Sequence, residues 1–101
     1  MNKANETAIE FVRGYCARLE QQTYPLWRSP EFAQMSYSKT AAYEILSLLE
    51  SNKDVPPLQT IEEFRDKMNK YSCLNTKTSI MFSVAYDIAD DISNDLIKAF
   101  Y

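Results

Sequence analysis

Apolar residues recur along this chain with the spacing of helices. Over residues 5–22, NETAIEFVRGYCARLEQQ, the residues Ala8, Val12, Tyr15, Cys16 and Leu19 fall at i, i+4, i+7, i+8 and i+11 on one helical face. Phe11 widens that face, while Glu10, Arg13, Arg18 and Glu20 take the other side. Gly14 lies inside the helix at a cost of roughly 1 kcal/mol relative to alanine, which predicts a close helix crossing there. The next stretch, TYPLWRSPEFAQMSYS, is too broken by proline for a long helix. Ser29–Pro30–Glu31 combines a capping hydroxyl, a first-turn proline and an acid near the positive end of the helix dipole. It predicts a short helix over 30–35, with Tyr24, Leu26 and Trp27 folded beneath it as a plug for the bundle's end.

SKTAAYEILSLLESN, residues 38–52, is the following periodic segment, with Ala41, Ala42, Ile45, Leu48 and Leu49 as its apolar stripe. Tyr43 lies about 160° from Ile45 on the helical wheel and is expected to point outward. The paired prolines of KDVPPLQ stop this helix. Thr60 and Glu63 then form a T-x-x-E capping box opening IEEFRDKMNKYS, where Ile61, Phe64, Met68 and Tyr71 recur at helical spacing. CLNTKTS connects to the last segment, expected from about Ser79 to Phe100.

That last segment carries two apolar stripes side by side. Met81, Ala85, Ile88, Ile92, Leu96 and Ala99 form one; Phe82, Tyr86, Ala89, Ile97 and Phe100, with Ser93 between, form the other. Together they exceed the ~100° stripe of an ordinary surface helix. The helix is therefore expected either to lie centrally, packed on two or three neighbours, or to be covered in part by another copy or a partner.

These elements predict an all-α fold: one domain over residues 1–101, a compact bundle of four main helices plus a short connecting helix. The single glycine among 101 residues agrees, because turn-rich β folds need glycine at their tight turns. A net charge of −3 gives no electrostatic reason to expect nucleic acid as a partner. Charge is uneven, however: residues 67–79 carry Lys67, Lys70 and Lys77 and no acid, between acidic flanks, which suggests intramolecular pairing and solvation. No run of 18 apolar residues and no signal-like amino terminus occur, so no membrane partner is expected. The chain is expected to be cytosolic, with Cys16 and Cys73 reduced and Cys16 buried.

Candidate chemistry is sparse. The chain has no histidine, so Ser–His and Cys–His nucleophile pairs are excluded, and two cysteines alone do not make a structural zinc site. Gly14 alone makes no phosphate-binding loop. What stands out is YDIADDISNDLI, residues 86–97, whose Asp87, Asp90, Asp91 and Asn94 cluster within about 100° of the wheel, nearly opposite the apolar stripes. Acids belong on such a face when they meet water, although carboxylates at i, i+3 and i+4 can also share a magnesium or manganese ion.

Within that row DDISND resembles the aspartate-rich motif of prenyl synthases, enzymes that are far longer and use a second such motif. Glu63-x-x-Asp66 and Asp87-x-x-Asp90 resemble the E-x-x-E and E-x-x-D pattern of the MazG-like nucleotide pyrophosphohydrolases. Those are small all-α proteins that hold magnesium over a diphosphate. The resemblance implies a divalent-metal hydrolase with Glu63, Asp66, Asp87, Asp90 and Asp91 as its metal ligands. The sequence departs from the pattern at the second and third acids, which are aspartate here, and Glu63 is already engaged by the capping box. PPLQTIEEFRDKMNKYSCLN together with FSVAYDIADDI resembles short hypothetical proteins of Gram-positive bacteria and their mobile elements, over about residues 36–97. That resemblance implies an accessory bacterial or phage protein and brings no active site with it.

Two helices around a short turn, as over residues 64–87, also fit a helix–turn–helix regulator, but the second helix turns acidic within two turns, which repels phosphate. Seven tyrosines and a tryptophan exceed what a small core needs, and tyrosine is favoured at protein interfaces. Tyr37, Tyr43, Tyr86 and Tyr101 are expected to be partly exposed. The expected function is therefore contact with a protein partner or another copy through a surface of Tyr43, Phe82, Tyr86, Ile97 and Phe100, with no catalytic residue and no cofactor. The metal hydrolase and the regulator are the alternatives.

Overall fold

The computed structural model describes residues 3–22, 29–73 and 79–100. Four helices account for nearly all of them: α1 (Lys3–Gln21), α2 (Pro30–Ser51), α3 (Pro57–Ser72) and α4 (Ser79–Phe100). The suggested plug of Tyr24, Leu26 and Trp27, and Tyr101, lie outside the described residues.

The helices share one core. The expected face of α1 is buried at Ala8, Val12, Tyr15 and Cys16, joined by Ile9. Ala41, Ala42, Ile45 and Leu49 come in from α2, Ile61, Phe64 and Met68 from α3, and Ala85, Ala89, Ile92 and Leu96 from α4. Side-chain pairs give the directions. Arg13–Glu50 at 3.7 Å and Lys39–Glu20 at 3.8 Å align α1 and α2 antiparallel. Arg65–Asp90 at 3.3 Å and the Tyr71–Phe82 ring pair at 5.3 Å do the same for α3 and α4. Lys39 is itself buried: its aliphatic stem fills the α1–α2 seam while its ammonium reaches the half-exposed Glu20.

Three local expectations are corrected. The short helix over 30–35 is not a separate element; it is the start of α2, which runs unbroken to Ser51. Ser29 caps it as expected, its hydroxyl accepting from the Phe32 N–H at 3.1 Å. The expected break from proline does not occur because Pro30 sits in the first turn, and the polar stretch after it stays helical, with Ser38 and Thr40 donating to the carbonyls of Gln34 and Ser36, four residues back. Thr60 is not a cap. Helix α3 starts one turn earlier, with proline in its first turn, and the Thr60 N–H donates to the Pro56 carbonyl at 3.2 Å. A first-turn proline gives up only an amide that has no intrahelical acceptor, so the second proline of the pair begins a helix rather than delaying it. Gly14 marks no crossing: it is exposed, and a Cβ built there meets nothing within 4 Å.

Helix α4 lies against all three others, most extensively against α3 and then α2. Its buried positions, Ala85, Ala89, Ile92, Ser93 and Leu96, run down the join between the two predicted stripes. The outer members of each stripe therefore reach the surface. No helix among the described residues is long and apolar enough to cross a membrane.

Candidate functional site

The aspartate row is divided between two neighbours. Asp90 turns toward α3, where Arg65 Nη1 donates to its Oδ1 at 3.3 Å, and Asn94 Nδ2 approaches its other oxygen at 3.5 Å. Asp91, one residue on, turns toward α1 and accepts from the Tyr15 hydroxyl at 2.9 Å. Asp87 faces water. Tyr15 is buried, and that burial, reinforced by the bond to Asp91 and the charges of Asp91 and Asp95, pushes its ionisation well above the ordinary 10.0. Two of the aspartates thus act as side-chain ties holding α4 to its neighbours.

The acids of α3 are engaged elsewhere. Glu63 accepts from Gln59 Nε2 at 3.1 Å, and Asp66 lies 3.6 Å from Arg65 Nε. The Arg65 guanidinium therefore stands between Asp66 and Asp90, one acid from each pair. Among the described residues, no group of three or more acidic or cysteine side chains is placed to hold a metal ion.

The residues expected to form one interaction surface are spread over the molecule. Tyr43 is exposed at 44% on the outer side of α2. Phe100, also exposed, packs edge-on against Phe11 of α1, with ring centres 5.9 Å apart. Ile97 is exposed near that same end of α4. Tyr86 is half-buried, and Phe82 lies at the other end of the helix.

Phe82 belongs to the feature that sequence reasoning missed. An open groove of about 410 Å³ runs between the first half of α2, the end of α3 and the beginning of α4. Its floor is Ala41, Met68 and Ala85, all buried core residues. Tyr37, Tyr71, Met81 and Phe82 form the walls, and Met81 remains 36% exposed. The rim is polar, with Ser36, Thr40 and Glu44 on α2 and Lys67 on α3. Small alanines on two of the three helices leave the depth, and long side chains at the outer ends of each stripe build the walls. Lys67 leans over the Tyr71 ring, its ammonium 5.8 Å from the ring centre. In the sequence pattern Met68, Tyr71 and Met81 fall on core stripes. The available signal was that methionine and aromatic residues accumulate where α3 ends and α4 begins.

No protein-family model, curated protein or solved structure matches the chain. What it can bind therefore has to be read from its own surface.

Proposed function

We propose that this chain is a cytosolic, non-enzymatic binding module that receives an apolar segment of a partner protein in the α2–α3–α4 groove. The observation that supports this is the groove itself: a buried apolar floor, walls of aromatic and methionine side chains, and a polar rim. Exposed apolar surface of this kind, edged by polar groups, characterises protein contact sites. Methionine walls suit such a role because the unbranched thioether side chain adapts to irregular shapes. The volume is within the range of small-molecule pockets, but those sites enclose roughly 70–90% of their ligand. This groove lies open along one flank, and its exposed Met81 favours a segment carried on a larger molecule.

The test is site-specific photocrosslinking in the source cell. A benzophenone amino acid at Tyr37 should give a discrete protein adduct, lost when Met81→Glu is added. The same probe at Asp87, on the opposite face of α4, should give none. Absence of any adduct from Tyr37, or equal adducts from both positions, would remove the groove as a contact site.

A further inference from the structure

We infer that the groove works as a jaw: the α1–α2 pair and the α3–α4 pair pivot about the link over 52–56, and the pivot sets the width of the groove. As a regulation of that groove it rests on the contact role just proposed, although the motion itself is measured on the protein alone. One wall belongs to α2 and the others to α3 and α4, so the groove lies across the seam between the two pairs. The two ends of this seam differ. Toward the link it is filled by Leu49, Ile61, Phe64, Ile92 and Leu96, all buried. At the groove, α2 and α4 bring only Ala41 and Ala85 to the floor. An alanine buries much less apolar area than a leucine or isoleucine, so the seam is held more weakly at that end.

The described ties between the pairs divide in the same way. Asn5 Nδ2 donates to the Val55 carbonyl at 2.8 Å and fastens α1 to the link itself. Helix α4 runs back along α3, which brings its last residue, Phe100, to the link end, where it packs on Phe11 at 5.9 Å. Tyr15 and Asp91 bond at 2.9 Å, and they stand beside Arg13 and Asp90, which pair with Glu50 near the end of α2 and with Arg65 of α3. Across the mouth of the groove, by contrast, Glu44 and Lys67 occupy opposite rims and make no ion pair among the described residues. Hinge motions concentrate the backbone change in a few link residues while packed elements move as bodies. Here the link is short and the free ends of both bodies carry the groove.

The experiment is pulsed electron–electron distance measurement on the free protein. Cys73→Ser removes the exposed native thiol, and buried Cys16 stays in place. Spin labels on Gln34→Cys/Lys70→Cys report the groove end, and labels on Ser51→Cys/Glu62→Cys report the link end; all four positions are exposed. At a rise of about 1.5 Å per residue the first pair lies roughly 20–27 Å along its helices from the link, and the second within about 10 Å. A pivot of about 10° therefore moves the groove pair by about 3–5 Å and the link pair by less than about 2 Å. The groove pair should show the broader distribution by that margin. Tyr15→Phe, which releases one tie and keeps its ring, should broaden the groove pair further and leave the link pair as it was.

Equal widths at the two ends, whether narrow or broad, would overturn the jaw, as would a groove pair indifferent to Tyr15→Phe. The contact role is decided separately by the Tyr37 adduct. An adduct together with a narrow groove pair would keep the role and remove the pivot, and a pivot without an adduct would do the reverse.

Discussion

Replacing Tyr15 by phenylalanine removes a single oxygen atom from the seam between α1 and α4. The ring stays, so packing around it is kept and only the 2.9 Å bond to Asp91 is lost. A hydrogen bond to a charged group contributes about 1.5–3 kcal/mol. Asp91 is exposed and regains water when the hydroxyl is gone, which places Tyr15→Phe near or below the lower limit, at about 1–1.5 kcal/mol. In a domain of this size that lowers the melting midpoint by roughly 4–10 °C.

The pH dependence carries the sharper check. Burial first, and then Asp91, favour the neutral hydroxyl in the folded state and raise its ionisation above the ordinary 10.0. The unfolded chain gives up this proton at about 10, so the stabilisation is complete below that pH and is lost as pH rises above it. The loss runs at about 1.4 kcal/mol per pH unit. Tyr15→Phe has no such proton, while every other titrating group is shared. The difference between the two proteins should therefore shrink above pH 10 and close near pH ~11. Urea unfolding followed by circular dichroism at neutral pH and at two alkaline values measures it. A gap under about 0.3 kcal/mol at neutral pH, or one that stays constant into alkali, would refute the assignment of Tyr15 as a tie between helices.

Gly14→Ala should stabilise the protein by about 0.5–1 kcal/mol, read as a higher melting midpoint, because the site is an exposed helix interior with open space around it. The two thiols should separate kinetically. Exposed Cys73 should alkylate quickly, while Cys16, buried and with its ionisation raised first by that burial and then by Glu20, should react only on unfolding. Equal labelling rates in the native protein would show that α1 does not hold its buried face as described. Millimolar magnesium or manganese should leave the melting midpoint unchanged, whereas Asp90→Asn should lower it by freeing Arg65. A saturable rise with either ion, abolished by Asp90→Asn, would instead restore the hydrolase alternative.

Helix faces were readable because periodicity fixes the centre of each stripe: Val12, Ile45, Ile61 and Ile92 stand fully buried where their stripes placed them. Boundaries were less so. Thr60 and Glu63 satisfy a capping pattern, yet proline at 57 can itself begin a helix, and nothing local decides between the two starts. The prolines before residue 31 look like an end to any long helix, yet the helix that Pro30 opens continues past 35, where the Ser38 and Thr40 hydroxyls return to its own carbonyls. The aspartate row was legible as a polar face, but not as two ties, because its partners Arg65 and Tyr15 are 25 and 76 residues away. The groove was illegible for the same reason. Its walls come from three helices, and each wall taken alone resembles the margin of a core stripe.

The antiparallel pairing of α1 with α2 and of α3 with α4 has a consequence for how the molecule can be taken apart. Each half is a helical hairpin whose contacts are close in sequence, and the turn over 52–56 is the described link between them. The buried alanines of α2 and α4 lie in effect at a subunit interface inside one chain, with the Asn5 side chain, which donates to the Val55 carbonyl at 2.8 Å, as a latch over the link. Such a protein is a tethered heterodimer. Cleaved at that turn, it should behave as two complementing fragments, each unfinished alone and each completing the other's core.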